Sequence, residues 1–304
     1  MVRPAPLWYG LAMLAPNAII RPAGPGDLNA VASFVAAEYA HPEGPARYRR
    51  YLDYSWLAHK PDLGVLLEDE GRIRGFIGAI YSERRVGGEM RRFCNLTSIA
   101  VHERYRKHTL LLFNSLLARK DLTFTCYSAN EQVAKILDFF RFERCAGDKV
   151  MVAPVSGLGA LRRLRRARVV TRPDALDSEL EDDQRAIARD HRAYRCGQLL
   201  VVDGPRRCFV VTVRRGRGFR AFADVLHASD PEMLAEHLPW IHGTLFRVHG
   251  TVLTGIDRRW LPRRPAPSFT YRKLRPIYAR SSTVRIDQVD ALYSELVALY
   301  GSRP

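Results

Sequence analysis

No stretch of this chain approaches the roughly 18 unbroken apolar residues of a membrane-spanning helix, so no membrane span is expected. Cysteine is sparse. Cys94, Cys126, Cys145, Cys196 and Cys208 form an odd, scattered set with no Cys-x-x-Cys spacing. That argues against a disulfide framework and against a structural zinc site; free thiols in a reducing cytoplasm, and no metal, are the expectation. Lysine is scarce beside arginine, as in chains from GC-rich bacterial genomes. Acidic residues are too few to balance the basic ones: 32 Asp plus Glu face 48 Lys plus Arg, a formal net charge of +16. Leu7–Ala15 is apolar and follows Arg3, but it is short, broken by Tyr9 and Gly10, and runs straight into a strand. It therefore reads as an N-terminal arm rather than a secretory leader.

A hydrophobic content of 47% in 304 residues is that of a globular protein, and the length leaves room for two domains, each with its own core. About two thirds of the net positive charge falls after Val150. Its densest run is Leu161-Arg-Arg-Leu-Arg-Arg-Ala-Arg168. Such a run can attract nucleic acid, anionic lipid or acidic polysaccharide. It has no interleaved aromatics and fits no nucleic-acid reading motif, so no specific nucleic acid partner is expected. Leu161 and Leu164 share a helical face, which suits an inter-domain helix with a solvated basic side.

The most informative stretch is Thr97–Leu112. An apolar run over Leu96–Val101 reads as a strand and meets a polar, basic turn. From Arg106 a helix is expected, with Leu110, Phe113, Asn114 and Leu117 at helical spacing. A strand feeding a helix through a turn leaves the helix's first N–H groups aimed at one spot, where the dipole adds to them. Arg106, Lys107 and His108 lie there, so a phosphate-bearing ligand is the expected guest; the competing reading is a solvated basic turn. Upstream come a strand at Ala18–Ala23, a helix with Leu28, Val31, Phe34 and Val35 on one face, and an aromatic helix at Pro45–Ala58. Strands at Gly64–Glu68 and Ile73–Glu83 follow, joined by the hairpin signal Asp69-Glu70-Gly71, then a strand from about Arg91 to Val101. Downstream, Leu122–Tyr127 is a strand, and Ser128-x-x-Glu131 is a capping box opening another helix.

This order resembles the GNAT superfamily of acyl-CoA N-acyltransferases over Ala18–Met151. In that family the third meander strand and the next helix carry a coenzyme A signature, Arg/Gln-x-x-Gly-x-Gly/Ala. The matching residues are Arg106-Lys107-His108-Thr109-Leu110-Leu111, in which Thr109 and Leu111 replace both glycines and narrow the approach to a pyrophosphate. A later Asn-x-x-Ala element is matched loosely by Asn130, Ala134 and Phe142. The resemblance implies acetyl-CoA or another acyl-CoA as donor, bound through Arg106–Leu111, Asn130 and the backbone from Ile99 to Val101, which would also hold the thioester carbonyl. Many relatives place a carboxylate base where Asn95 stands, and asparagine accepts no proton at a useful pKa. Leu137 aligns with their tyrosine acid. Tyr127, His108 and Ser98 are substitutes within reach, each with a plain structural alternative.

In the remainder, Asp174–Arg195 reads as one charged helix ending near Asp190-His191. Leu199–Val202, Cys208–Arg214 and Phe219–His227 read as strands. A helix opened by Ser229-x-x-Glu232 carries Leu234, Leu238, Ile241 and Leu245, and Thr251–Ile256 is a strand. Trp260–Pro276 reads as a long loop and Asp287–Tyr300 as an amphipathic closing helix. Strand, strand, strand, helix, strand repeats the first order, so a second, degenerate GNAT-like half is inferred. His191 is a candidate base there, although adjacent helical residues diverge by about 100°, so Asp190 cannot orient it.

The expectation is thus a mixed-sheet α/β protein with a GNAT-like acyltransferase fold in tandem: an acyl-CoA-binding domain over 18–152, a basic linker over 153–173, and a degenerate domain over 174–304. Its candidate catalytic residues are Asn95, Tyr127 and His191. The expected activity is acyl transfer to an amine of a small molecule or saccharide, an amino sugar or another anionic acceptor suiting the basic second half. The alternative is a binding module that keeps the fold without turnover.

Overall fold

The computed structural model describes residues 17–153, 167–216, 221–261, 264–265, 267–272 and 275–301. The apolar arm at Leu7–Ala15 and the basic run from Leu161 to Arg166 lie outside them. The first elements are β1 (Ile19–Pro22), α1 (Leu28–Tyr39), α2 (Gly44–Leu52), β2 (Gly64–Asp69), β3 (Arg72–Val86) and β4 (Glu89–Val101). Next come α3 (Thr109–Leu117), β5 (Leu122–Cys126), α4 (Glu131–Phe139), β6 (Glu143–Cys145) and β7 (Lys149–Val152). The β2–β3 turn is as expected, with Glu70 and Gly71 both at positive φ (51° and 70°), the backbone that a tight hairpin between twisted strands requires.

The remainder holds β8 (Arg168–Val170), α5 (Pro173–Glu179), α6 (Asp182–Asp190), β9 (Cys196–Asp203), β10 (Arg206–Arg215) and β11 (Phe222–Ala228). It continues with α7 (Pro231–Glu236), α8 (Leu238–His249), β12 (Leu253–Asp257), β13 (Ser268–Tyr271), β14 (Ile277–Arg280) and α9 (Glu295–Gly301). The stretch expected as a long loop therefore contains a strand, β13.

Two sheets of seven strands result. One runs β1-β2-β3-β4-β5-β14-β6, the other β8-β9-β10-β11-β12-β7-β13. The two orders are the same pattern: a meander, a parallel step from the fourth strand to the fifth (β4 to β5, β11 to β12), then an inserted strand and an edge. Each insertion comes from the other half of the chain. β14 pairs antiparallel with β5 and β6, and β7 pairs antiparallel with β12 and β13. Sheet membership thus crosses the division expected at residues 152 and 174 at both ends.

Three expected helices are shorter than the sequence suggests: the one expected over Pro45–Ala58 ends at Leu52, and in the other two side chains bond to backbone carbonyls. Asp174–Arg195 breaks at Leu180 and Glu181, both extended, where Arg185 takes the carbonyls of Asp177 and Leu180 at 2.6 Å each. In the closing segment Arg259 takes the carbonyls of Ile286 and Val289, Tyr127 that of Asp290 and His191 that of Leu292. Side chains bonded to these carbonyls compete with the helical ladder for them, and α9 begins only at Glu295.

Contacts group the described residues into two compact units, one holding those of 17–49, 62–78 and 98–120, the other those of 50–61, 79–97 and 121–301. In the first unit Arg21 bridges Asp27 and Glu68, each at 2.8 Å. Gly75 there admits α3 to the sheet: a Cβ would lie 2.9 Å from Leu112 Cδ1 and 3.3 Å from Leu67 Cβ. In the second unit Met233, Leu234, Leu238, Ile241 and Leu245 of α7 and α8 bury against Leu199, Val201, Val210, Val225 and Ile256, each such side chain stabilising by about 1.5–3 kcal/mol.

Candidate functional site

The expected anion site lies in the first unit, where β4 passes into α3. Ser98 sits at φ 51°, a left-handed residue inside a strand, which bends the strand and re-aims the residues beyond it. The Ile99 carbonyl then accepts from the Tyr39 hydroxyl at 2.7 Å, and Tyr39 stacks on Tyr48 at 6.2 Å. β4 thereby becomes tied to the end of α1. After Val101 the His102 amide bonds to Arg74 O at 2.8 Å.

The helix expected from Arg106 is preceded by a 3₁₀ helix over Glu103–His108, and α3 starts at Thr109. The Tyr105 amide closes on His102 O at 2.8 Å, the Thr109 amide on Arg106 O, and Thr109 Oγ1 donates to the same carbonyl at 2.7 Å. This i to i−3 bonding occupies amides that a bare α-helical N-terminus would leave open. Arg106 and Lys107 are exposed, but His108 is only 1% exposed, with Nδ1 unpartnered among the described residues. Burial, with Lys107 beside it, draws its pKa down. The turn thus offers an anion two cations, not three. Thr109 and Leu111 are half-buried and Leu110 is exposed.

The corresponding turn of the second sheet, from β11 into α7, holds its own carboxylate. Asp230, rather than the expected Ser229, caps α7: Oδ1 accepts from the Met233 amide at 2.9 Å and Oδ2 from Arg206 at 2.9 Å. Asn130 likewise replaces Ser128 as the cap of α4, accepting from the Val133 amide at 2.9 Å, so its oxygen is already engaged.

The remaining candidates lie in the second unit, around the closing segment. β4 pairs with β5 only from Arg92↔Leu122 to Asn95↔Thr125, though β4 itself continues to Val101. Asn95 is 1% exposed; its Oδ1 accepts from Thr125 Oγ1 at 3.2 Å, and its Nδ2 donates to Glu295 Oε2. Glu295 is a residue the sequence reading missed. It is 2% exposed, and its Oε1 has no partner among the described residues. The only hint in the sequence was the missing carboxylate at position 95.

Tyr127 and His191 are both sealed. The Tyr127 hydroxyl donates to Asp290 O, and burial, reinforced by Asp290, holds it far above the ordinary tyrosine range. Asp290 also meets Arg84 and His227. Burial alone would raise its carboxyl, but Arg84 and then His227 outweigh that and hold it well below the usual range. His191 is fully buried, with Nδ1 2.8 Å from Ile187 O and Nε2 2.8 Å from Leu292 O. It packs on Trp56 and Tyr293, and burial lowers its pKa. Asp190 does not orient it; its carboxylate accepts from the Tyr293 hydroxyl at 2.6 Å.

None of the five cysteines is in a disulfide, and Cys94, Cys126 and Cys208 are buried; burial pushes Cys196 up to about 12 and Cys208 up to about 11, so neither is a ready nucleophile. Among the described residues no helix is long and apolar enough to cross a membrane.

No protein-family model and no curated protein matches the sequence. Solved structures do match in fold. A GCN5-related N-acetyltransferase from Anabaena variabilis aligns with a TM-score of 0.53 at 9% identity, covering 86% of this chain and 72% of that one. One from Kribbella flavida aligns at 0.51 and 12%, covering 87% and 71%. A GCN5-related glucosamine N-acetyltransferase region of a fungal multi-domain β-N-acetylglucosaminidase aligns at 0.56 and 11%, covering 87% of this chain and 38% of that chain. With two seven-stranded sheets of one strand order, each with a parallel step from its fourth strand to its fifth, the chain has the GCN5-related N-acetyltransferase fold in tandem.

Proposed function

We propose that the protein transfers an acyl group, most simply acetyl, from acyl-CoA to an amine, and that Arg106 and Lys107 meet the donor's phosphates. The observation that carries this is β4. It bends at Ser98 and runs from Leu96 to Val101 past its last β5 partner, and an extended ligand with amide groups can pair with strand backbone there. The exposed cations follow directly along the chain. The side chains and donor groups at this turn suit a phosphate less closely than a glycine-bearing signature would, since Thr109 and Leu111 add bulk and the 3₁₀ amides are engaged. Binding then leans on charge-assisted contacts from the two side chains. Because Asp230 fills the equivalent turn of the second sheet, one donor per chain is the reading.

Acyl transfer to an amine requires an unprotonated nucleophile and a polarised thioester carbonyl. With Tyr127 and His191 sealed, neither is assigned a proton transfer. Positioning supplies much of the barrier reduction in such reactions, so turnover survives without them. The sealing of both residues also favours a second reading, a fold-retaining module that binds acyl-CoA without turning it over.

Calorimetry with coenzyme A and with dephosphorylated pantetheine tests the donor site. Coenzyme A should bind distinctly tighter; equal binding, or none, overturns the phosphate contacts. Thiol release from acetyl-CoA across an amine panel separates the two readings, the amino sugars being the first acceptors to examine.

A further inference from the structure

An open pocket of about 530 Å³ lies within the second unit, lined on one side by α4 and on the other by β14 and β6, a size that suits a small ligand. Tyr278 of β14 lines it while only 1% exposed, and its side chain makes no hydrogen bond among the described residues. Arg144 stands directly opposite Tyr278 in the β14–β6 register, so the two side chains share a face. Burial and then Asp138 raise the Tyr278 pKa while Arg144 opposes them; charges of both signs therefore lie close to one hydroxyl. Glu131, Lys135 and Asp138 of α4 line the same pocket, exposed as Arg144 is, and among the described residues none of the four side chains forms an ion pair. Elsewhere helical neighbours of opposite sign do pair, Glu43 with Arg47 at 3.1 Å and Asp182 with Arg185 at 2.7 Å. Glu131 and Lys135 have the favourable order for an i, i+4 pair and leave it unmade. Opposite charges held apart around one space complement a ligand that carries both. Glu131 and Asp138 are two helical turns apart, too far to share a metal ion, and among the described residues no group of three His, Cys, Asp or Glu is placed to hold one. A lone anion drawn to Arg144 would also meet Asp138, and a lone cation the reverse.

We propose that this pocket binds an α-amino acid, whose carboxylate takes Arg144 and the Tyr278 hydroxyl and whose ammonium takes Asp138. A carboxylate and an ammonium on one carbon answer the guanidinium, the phenol and the acidic side chain together. Ala134, with only a methyl group, leaves the ligand's side chain room along α4 toward the helix start. Arg275 stands at that end, tied to Ser128 O at 3.0 Å. The Asn130 oxygen is spent on the helix cap, so its amide nitrogen, Glu131 and Arg275 are the groups that choose among side chains. The site shares no residue with the donor contacts at Arg106 and Lys107, and it stands whether or not the chain transfers an acyl group.

The probes are the free L-amino acids at millimolar concentration, read by saturation-transfer NMR on the full chain. At least one should receive saturation. Its N-acetyl derivative, which lacks the ammonium, and its amide, which lacks the carboxylate, should each bind at least about tenfold more weakly, the loss expected when a hydrogen bond to a charged group is removed. Arg144→Gln and Asp138→Asn should weaken the parent amino acid to the same degree, and because both side chains are exposed and unpaired the variants should melt as the wild type does. Tyr278→Phe should weaken binding with the melting temperature unchanged, since the hydroxyl has no partner in the protein to lose. No transfer to any amino acid, equal binding of the blocked derivatives, or undiminished binding in Arg144→Gln overturns the proposal. Displacement by coenzyme A would assign the pocket to the donor, and equal competition by inorganic phosphate would reduce it to an anion site; either result overturns it as well.

Discussion

Asp224 holds in the second sheet the register that Asn95 holds in the first. Each is the last residue of its strand to pair with the parallel neighbour, Asn95 opposite Thr125 and Asp224 opposite Gly255. The chemistry of the two positions has diverged. Asn95 is neutral and faces a carboxylate without a cation, whereas Asp224 is a carboxylate clamped by two cations. Lys149 lies on β7, the inserted strand, and Arg215 on β10, so Asp224 ties the insertion to the sheet that receives it.

Asp224→Asn should therefore unfold the second sheet without altering the donor site. Removing one partner of a buried ion pair leaves the other charge uncompensated, at about 3–5 kcal/mol. Urea denaturation should show a loss of that order. A change below about 1 kcal/mol would mean that Lys149 and Arg215 find water instead.

Arg106→Ala should weaken coenzyme A binding by about 1.5–3 kcal/mol, the range for a hydrogen bond to a charged group. The exposed Arg172 serves as control, because a diffuse surface charge is screened by salt. Titration calorimetry at physiological ionic strength gives the comparison. Equal losses in the two alanine variants would assign the attraction to net charge rather than to a formed contact.

Gly75→Ala should destabilise by about 1–3 kcal/mol, the range for an overfilled core, since its methyl would meet Leu112 Cδ1 at 2.9 Å. Leu112→Val in the same chain should restore part of the loss by vacating that space. Chemical denaturation of the single and double variants measures both effects, and simple additivity would show that α3 does not press on β3 at this point.

Stability should fall as pH drops from about 6.5 toward 4. Burial pulls His242 down to about 4, with Nδ1 3.0 Å from Thr254 Oγ1 and Nε2 unpartnered among the described residues. The folded state therefore keeps this ring neutral in a window where the unfolded chain protonates it. The contribution is complete above the unfolded value and is lost as pH falls toward the folded one, on the order of 3 kcal/mol. His242→Asn should reduce the slope of the melting temperature across that window without abolishing it, because burial and Arg214 draw His249 down to about 4 as well. An unchanged slope would assign the acid sensitivity to other groups.

The meander of each sheet was legible because its strands carry local marks: apolar runs, the Glu70-Gly71 turn, and helices with leucines at helical spacing. β14 carries none. Four residues in an Arg- and Pro-rich stretch find partners far away in sequence, and no local pattern announces such a pairing. The site divides along similar lines. Arg106 and Lys107 were readable as cations in a strand-to-helix turn, whereas the inward turn of His108 comes from a 3₁₀ segment that periodicity does not distinguish from a helix. Glu295 looked like any acidic residue on an amphipathic helix, and its significance arises only from the asparagine it meets across the chain.

The strand exchange also has a meaning in time. Cys126 of β5 leaves the ribosome about 150 residues before its partner Tyr278, and at ordinary synthesis rates that interval is on the order of ten seconds. Throughout it the first sheet lacks the strand that joins β5 to β6, and both present open edges of the kind that recruit foreign strands. Neither sheet is complete until β13 and β14, at Ser268–Tyr271 and Ile277–Arg280, have been made. A nascent chain stalled or cut near residue 270 is thus as incomplete in its first sheet as in its second, and the tandem arrangement is inherited, translated and quality-controlled as one object.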